Sequence, residues 1–196
     1  MTRDLFGTLA DVSSDLTALK TSWALVGGIA FQILVEARFT RDIDLAVAVA
    51  DDRAAESLVR DLRARSYRLH PHPQFEQEAT DRLATIRLIP PGGDVDGVIV
   101  DLLFASSGIE PEIVAQAVRT EVLPGLTLPV ITKVNLLAVK ILAGRPKDLQ
   151  DASALLDHME PSALPDVRRA LDLIERRGFH RKKDLQAELD RVAKRG

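Results

Sequence analysis

The chain has 196 residues, of which 46% are hydrophobic, so it can bury the core of one domain or of two small ones. It contains no cysteine, which excludes disulfides, thiolate metal sites and cysteine nucleophiles. Its formal net charge is −3, and no stretch approaches the ~18 uninterrupted apolar residues of a transmembrane helix. The N-terminus also lacks a basic segment followed by an apolar run. We therefore expect a soluble cytoplasmic protein with no membrane partner.

The first predicted elements place a glycine pair beside a helix N-terminus. Hydrophobic periodicity predicts a helix over residues 4–19, followed by a short apolar strand over residues 24–26. Gly27 and Gly28 come next, and a second helix is predicted over residues 29–36. Because glycine has no Cβ atom, a ligand can approach the backbone closely there, beside free N–H groups that favour a phosphate. This segment predicts a phosphate-binding turn.

Two aspartates follow at the start of a strand predicted over residues 42–47. Side chains alternate along a strand, so Asp42 and Asp44 share one face while Ile43 points into the core. Two like charges held this close repel each other unless a cation lies between them. Mg²⁺ typically takes one or two carboxylates together with substrate phosphates. The spacing therefore indicates a magnesium and nucleoside triphosphate site.

A third carboxylate, Asp101, lies in an apolar run further along the chain. An amphipathic helix is predicted over residues 51–65, and two strands, over residues 82–89 and 95–104, are joined by a turn. An ionised carboxylate in such a run is costly unless it is paired, hydrogen-bonded or metal-bound. If its strand lies beside the Asp42 strand, Asp101 is a general base or a further metal ligand. The alternative is an edge position that faces solvent.

The rest of the pattern divides the chain into two parts. Residues 70–73 (HPHP) predict a turn rather than a metal site, because alternating prolines force an extended chain. A short helix is predicted over residues 110–118, and the pattern becomes helical after the Pro/Gly-rich connection at residues 124–129. We predict an α/β fold, with a mixed sheet and flanking helices in an N-terminal domain (residues 1–129). A C-terminal helical bundle (residues 130–196) completes it.

A lysine lies in apolar company in the helical part. Lys140 shares a helix face with Leu136 and Leu137. A lysine there either extends its ammonium group to solvent or, beside a triphosphate, supplies a mobile charge for the phosphates. In the next predicted helix, Asp148 is placed to act as an N-terminal cap, and Asp151 follows one turn later.

The last notable pattern is a basic segment, residues 176–183, which contains five permanent cations, a histidine and a phenylalanine. Residues 160–196 carry ten Lys and Arg against seven Asp and Glu, although the whole chain is acidic. Such a segment attracts nucleic-acid phosphates in a salt-dependent way. A solvated helix end is an equally good interpretation.

Together these motifs are similar to those of a known family. The chain resembles the nucleotidyltransferases of the DNA polymerase β superfamily, and within them the AbiEii-like group of toxin–antitoxin systems, which includes the MenT-type toxins. The glycine pair followed by Asp42-Ile43-Asp44 carries the superfamily pattern. Lys140 followed by Lys147-Asp148-Leu149-Gln150-Asp151 resembles the signature of the AbiEii-like group.

The resemblance implies a polymerase β-like nucleotidyltransferase domain and assigns roles on its sheet. Asp42 and Asp44 would hold Mg²⁺ on a nucleoside triphosphate (NTP), with Asp101 as the third carboxylate of the metal site and Asp94 or Asp96 as the alternatives for that position. Gly27 and Gly28 would cradle the phosphates. The superfamily's usual glycine–serine is glycine–glycine here, so the backbone N–H groups serve without a serine hydroxyl.

The resemblance also implies the reaction and its partners. Lys140 would neutralise the phosphates with Arg41 as a helper, and Asp151 would act as a base or orient Lys140. An acceptor hydroxyl attacks the α-phosphorus, and pyrophosphate leaves. In MenT-like relatives the acceptor is the 3′ end of tRNA, which the basic segment would suit, and the expected protein partner is a cognate antitoxin. The alternatives are a protein or small-molecule acceptor such as an aminoglycoside, or a nucleotide-binding module without catalysis.

Overall fold

The computed structural model describes residues 4–71 and 82–194, so the predicted turn at residues 70–73 lies partly outside the described residues. Within the described residues, seven strands form one mixed sheet in the order β3-β4-β5-β2-β1-β7-β6. The strands are β1 (Ser22–Leu25), β2 (Asp42–Ala48), β3 (Arg68–Leu69), β4 (Thr85–Ile89), β5 (Ile99–Leu103), β6 (Val118–Leu123) and β7 (Leu126–Val130).

The α-helices of the same part of the chain flank the sheet and follow it. They are α1 (Leu5–Ala18), α2 (Gly27–Leu34), α3 (Asp52–Ala64), α4 (Glu110–Ala115), α5 (Lys133–Ala143), α6 (Pro146–Asp157), α7 (Leu164–Arg176) and α8 (Leu185–Ala193). A single 3₁₀ turn (Pro161–Ala163) precedes α7. No helix among those described combines the length and apolar composition needed to cross a bilayer.

Several helix boundaries follow directly from capping residues. The carboxylate of Asp4 accepts a hydrogen bond from the N–H of Gly7 at 2.6 Å, and Asp51 caps α3 in the same way. The hydroxyl of Thr132 accepts the N–H of Asn135 at the start of α5. Gly144 ends α5 with a φ of +64°, a conformation that suits glycine.

The centre of the sheet brings the acidic strands together. β2 and β5 are parallel neighbours, and their register places Asp44 beside Asp101. β5 also pairs with β4 on its other side, so the edge position considered for Asp101 is wrong. The prediction that the Asp101 strand lies beside the Asp42 strand is confirmed. Ile43 and Leu45 between the acidic positions are fully buried, as the alternation predicts.

The hairpin of β6 and β7 was not predicted. We expected only a connection at residues 124–129, but β7 runs through it and pairs with β6 along its length. Gly125, at φ +80°, forms the turn between the two strands. Pro129 lies within β7, and a proline argues against a strand in the sequence because it has no N–H to donate to the sheet. The helix predicted over residues 110–118 ends earlier, at Ala115, and Val118 is instead the first residue of β6.

The helical part contacts the N-terminal part through α5, which packs against α2. Leu136, Leu137 and Ile141 of this helix are fully buried, and α5 contacts α2, α6, α7 and α8. β7 ends at Val130, where it pairs with Leu25 of β1, so the change from sheet to helices falls at the predicted position. The separation into two domains, with the helices as a bundle of their own, stays a prediction.

Candidate active site

A cleft of about 470 Å³ opens between the sheet and the helical part. One wall consists of β2, β5 and the glycine pair, and the other consists of α5 and the start of α6. Of the predicted site residues, those lining it are Gly27, Gly28, Asp42, Asp44, Asp101 and Lys140. Arg41 and Asp151 are not among its lining residues.

The glycine pair forms the first turn of α2, two residues earlier than the predicted helix start. Gly27 has a φ of +64°, and a Cβ atom added to it would overlap the carboxylate of Asp44. The N–H of Gly28 points to Asp44 Oδ2 across 3.4 Å. Only glycine at position 27 therefore allows the helix N-terminus and the aspartate to lie this close.

The two aspartates of β2 lie on the cleft face with their ionised forms disfavoured. Burial and the neighbouring charge of Asp101 raise the pKa of Asp42 above its ordinary value. For the same two reasons the pKa of Asp44 rises to about 6, and Asp42 and Asp101 both contribute repulsion there. The described protein atoms thus leave these carboxylates under-compensated.

Asp101 differs from its neighbours because Arg87 of β4 holds it. The guanidinium donates two hydrogen bonds to the carboxylate, at 2.9 and 2.7 Å, across directly paired positions of β4 and β5. The hydrogen bond to Asp101 raises the pKa of Arg87 further above its already high value. Sequence reasoning missed Arg87, although an arginine between Ile86 and Leu88 in a short apolar strand is itself a signal.

The donor set of the sheet wall fits Mg²⁺ bound together with a triphosphate. No group of three Asp, Glu, His or Cys side chains within residues 4–71 and 82–194 has the arrangement of a self-sufficient metal site. With Asp101 paired to Arg87, two carboxylates, Asp42 and Asp44, remain. Two hard oxygen donors with raised pKa values match an ion that completes its coordination with phosphate oxygens and water.

The opposite wall carries a compact buried ion cluster. Lys140 Nζ lies 2.9 Å from Asp148 Oδ1 and 2.7 Å from Asp151 Oδ2, and all three side chains are buried. Arg145 Nε also donates to Asp148, at 2.6 Å. Burial alone would raise the pKa of Asp148, but Arg145 and Lys140 outweigh it and hold the pKa below its ordinary value. The predicted capping role of Asp148 is wrong: Arg145 is the N-cap of α6, and the carboxylate turns to Lys140 instead.

The connection between α2 and β2 places Arg38, rather than Arg41, in the cleft. Arg38 Nη1 lies 3.3 Å from Asp151 Oδ2, and its guanidinium stacks 5.5 Å from the ring centroid of Phe31. Arg41 is exposed and stacks 5.3 Å from the ring of Phe39. The helper role predicted for Arg41 thus stays a prediction, and Arg38 was missed because nothing in the sequence links it to Asp151.

The basic segment (residues 176–183) is docked beside the cleft. Arg177 donates to Glu112 at 2.6 and 2.9 Å and to the carbonyl of Gly108. Lys183 donates to the last carbonyls of α5. Arg181 donates to the carbonyl of Ser106 and lines the cleft. Three of its cations therefore bind other parts of the protein, so the segment is not simply a solvated helix end, and its attraction for nucleic acid stays a prediction.

A family model for the nucleotidyl transferase AbiEii toxin of type IV toxin–antitoxin systems matches residues 12–195. The chain belongs to the AbiEii nucleotidyltransferase family. The resemblance carried by the glycine and aspartate motifs is thereby confirmed, and this AbiEii-family protein is a nucleotidyltransferase.

Solved structures share the fold at low sequence identity. The nucleotidyltransferase-like antigenic protein of Paracoccidioides brasiliensis is 22% identical, with a TM-score of 0.52 over 97% of this chain and 94% of its own. The antibiotic-resistance factor ANT(2'')-Ia is 12% identical, with a TM-score of 0.54 over 96% of each chain. The lincosamide adenylyltransferase LnuA, with lincomycin bound, is 13% identical, with a TM-score of 0.51 over 81% of this chain and all of its own. No curated protein sequence matches the AbiEii-family chain.

Proposed function

We propose that this protein transfers a nucleoside monophosphate from an NTP to the 3′-terminal hydroxyl of tRNA, with Mg²⁺, as the toxin of a toxin–antitoxin system. The observation that carries the proposal is the opposition of the two cleft walls. Asp42 and Asp44 face the cleft from the sheet, and Lys140 faces it from α5, with the glycine pair between them. A triphosphate with its cation is the ligand that this charge arrangement matches.

The residues of the chain divide the work of binding and transfer. The N–H groups at the start of α2 and the ammonium of Lys140 bind the triphosphate. Asp151, buried behind Lys140 at 2.7 Å, orients it, which favours this role over that of a base. The acceptor oxygen attacks the α-phosphorus in line, the bond from that phosphorus to pyrophosphate breaks, and the acceptor proton passes to Asp101 or to water.

Asp42 and Asp44 are the residues that would hold Mg²⁺. When bound, the ion would offset the charge of the phosphates and polarise the α-phosphoryl group. The raised pKa values of both aspartates support this assignment, because a cation would supply the compensation that they lack.

Basic side chains at the cleft support a nucleic-acid acceptor. Arg145, Lys147 and Arg181 line the cleft, and Arg145 and Lys147 are exposed. The first two lie at the start of α6, and Arg181 continues into the rest of the basic segment, so cations extend outward from the reaction site. Such a track suits the phosphates of an RNA end that enters the cleft. A toxin with this acceptor would be opposed by the antitoxin that a type IV system includes.

A small-molecule acceptor is the second candidate. LnuA, which shares the fold, is a lincosamide antibiotic adenylyltransferase, and ANT(2'')-Ia is an antibiotic-resistance factor. Their similarity is structural only, at 13% identity or less. The chemistry and its residues stay the same in this alternative, and only the acceptor changes.

The test incubates purified protein with each α-³²P-labelled NTP, Mg²⁺ and total tRNA. Asp44→Ala is the inactive control, and parallel reactions replace tRNA with protein extract or with a lincosamide and an aminoglycoside. Label on tRNA in the wild-type reaction alone supports the proposal and names the nucleotide. Label on an antibiotic or on protein, with none on tRNA, would assign the second acceptor class. Absence of label from every acceptor would contradict catalysis and favour a binding module.

A further inference from the structure

Thr40 occupies a place in the cleft for which the predicted roles give no account. It lies in the connection between α2 and β2, is half-buried and lines the cleft. Two residues later comes Asp42, and across the cleft floor lies Gly28. Within residues 4–71 and 82–194 no hydrogen bond joins the hydroxyl of Thr40 to another residue. A polar group in a binding cleft is therefore available to a ligand.

The hydroxyl of Thr40 fills the space that a side chain at position 28 would need. A Cβ atom built on Gly28 would lie 2.6 Å from Thr40 Oγ1 and 3.0 Å from Thr40 Cβ. It would also lie 2.7 Å from Nη2 of Arg38. Two hydrogen-bond donors from the α2–β2 connection thus lie over the first turn of α2, where Gly28 itself contributes none from a side chain.

We propose that Thr40 is a phosphate-binding residue whose hydroxyl donates a hydrogen bond to a phosphate oxygen of the NTP held at Gly27 and Gly28. This inference rests on the proposed function only in taking an NTP as the ligand. Thr40 supplies from the neighbouring segment the side-chain hydroxyl that position 28 lacks. A side chain at position 28 would collide with both Thr40 and Arg38.

The surroundings favour Thr40 over the other donors for this contact. Arg38 shares the space, but its guanidinium is also held by Asp151 at 3.3 Å and by the ring of Phe31. Threonine is β-branched, so few rotamers compete with the one that aims the hydroxyl over Gly28. The carboxylate of Asp44 lies beside Gly27. Because the Thr40 hydroxyl is neutral, it does not form an ion pair with this carboxylate, which stays available to a cation.

A matched pair of substitutions isolates the hydroxyl. Thr40→Val keeps the branched shape and removes the donor, whereas Thr40→Ser keeps the donor and removes the methyl group. Affinity for each of the four NTPs as α,β-methylene analogues is measured by titration calorimetry with Mg²⁺, and KM and kcat are measured for the transfer reaction. Thermal unfolding of each variant shows whether its fold is intact.

We expect Thr40→Val to weaken NTP binding roughly tenfold to a hundredfold, the range typical of a lost hydrogen bond to a charged oxygen. Thr40→Ser should stay within about threefold of the wild type on the same scale. Equal affinity of Thr40→Val and the wild type, or an equal loss in both variants, would overturn the inference while the proposed function stands. Failure of the wild type to bind any of the four analogues would overturn both.

Discussion

The two walls of the cleft both carry buried aspartates, but they treat them in opposite ways. On the sheet wall, burial and like charges raise the pKa of Asp42 and Asp44. On the helical wall, Arg145 and Lys140 overcome burial and lower the pKa of Asp148. Each carboxylate of the helical cluster has a cationic partner, whereas neither Asp42 nor Asp44 forms an ion pair with a described residue. Under the proposed function, the helical wall holds Lys140 in place for the triphosphate, and the sheet wall binds the cation.

Breaking the helical wall should have the largest effect on stability. Lys140→Met leaves two buried carboxylates without their shared ammonium, so we expect the free energy of unfolding to fall by about 3–5 kcal/mol. Urea unfolding at pH 7.5 measures the loss. Lys133→Met, on the same helix but bonded at the surface to the carbonyl of His158, is the control and should cost no more than about 1 kcal/mol. A similar small loss in both variants would refute the contrast.

Breaking the sheet wall should remove activity and raise stability. The pKa of Asp44 is about 6 in the folded protein and 3.8 for an ordinary aspartate, so the folded state binds a proton more readily than the unfolded chain. Stability therefore falls as pH rises from about 4 to 6, and the cost of the buried charge is complete above that window. Asp44→Asn removes this cost, and we expect a gain of roughly 1–2 kcal/mol at pH 7.5 but none near pH 4.

In the same variant, Asp44→Asn, the rate of NMP transfer should fall by more than about a hundredfold. Losing a residue that only hydrogen-bonds to a metal ligand usually costs less than this. Unfolding midpoints at both pH values and the ³²P transfer reaction provide the two measurements. Asp61→Asn, exposed on α3, should change neither. Destabilisation of Asp44→Asn at pH 7.5 would show that protein groups already compensate the Asp44 charge.

Measuring Mg²⁺ binding over a series of pH values should show that Asp44 on the sheet wall titrates when the ion binds. Because protonated Asp44 is a poor ligand, Mg²⁺ should bind together with a non-hydrolysable NTP roughly tenfold more weakly at pH 5 than at pH 7.5. Calorimetry in two buffers of different ionisation enthalpy would detect the proton released on binding near pH 6. Asp44→Asn should lose that release. A proton release that persists in the variant would assign the titration to another group.

The smallest expected effect on stability concerns the ion pair between Arg177 of the basic segment and Glu112 of α4. Arg177 and Glu112 form a half-exposed pair, so Arg177→Gln should lower stability by less than about 1 kcal/mol. Amide hydrogen exchange in residues 177–183 should nevertheless become faster, since the segment loses its anchor on α4. Arg176→Gln is the matched control, and equal exchange in the two variants would contradict an anchoring role for Arg177.

The sheet wall was the more predictable of the two. Alternation placed Asp42 and Asp44 on one face, and a polar residue in an apolar strand located Asp101. Arg87 gives the same kind of signal but was missed, and its pairing with Asp101 depends on the register between β4 and β5. Arg38 and Thr40 could not be found in this way, because their positions depend on packing between distant segments. Arg38 and Asp151 lie 113 residues apart, and neither shows a period or motif that links them. The β6–β7 hairpin was missed because its proline and glycine content conceals the strand pattern.

The two walls of the cleft are synthesised at different times, because their residues are far apart along the chain. The glycine pair and the sheet aspartates leave the ribosome well before α5 and α6. Lys140 follows Asp44 by 96 residues, which at typical elongation rates corresponds to roughly 5–20 s. Throughout that interval the nascent chain contains Asp42 and Asp44 but not yet Lys140 or its partners Asp148 and Asp151. With the proposed roles of Asp44 and Lys140, the chain becomes active only after the second wall has been synthesised.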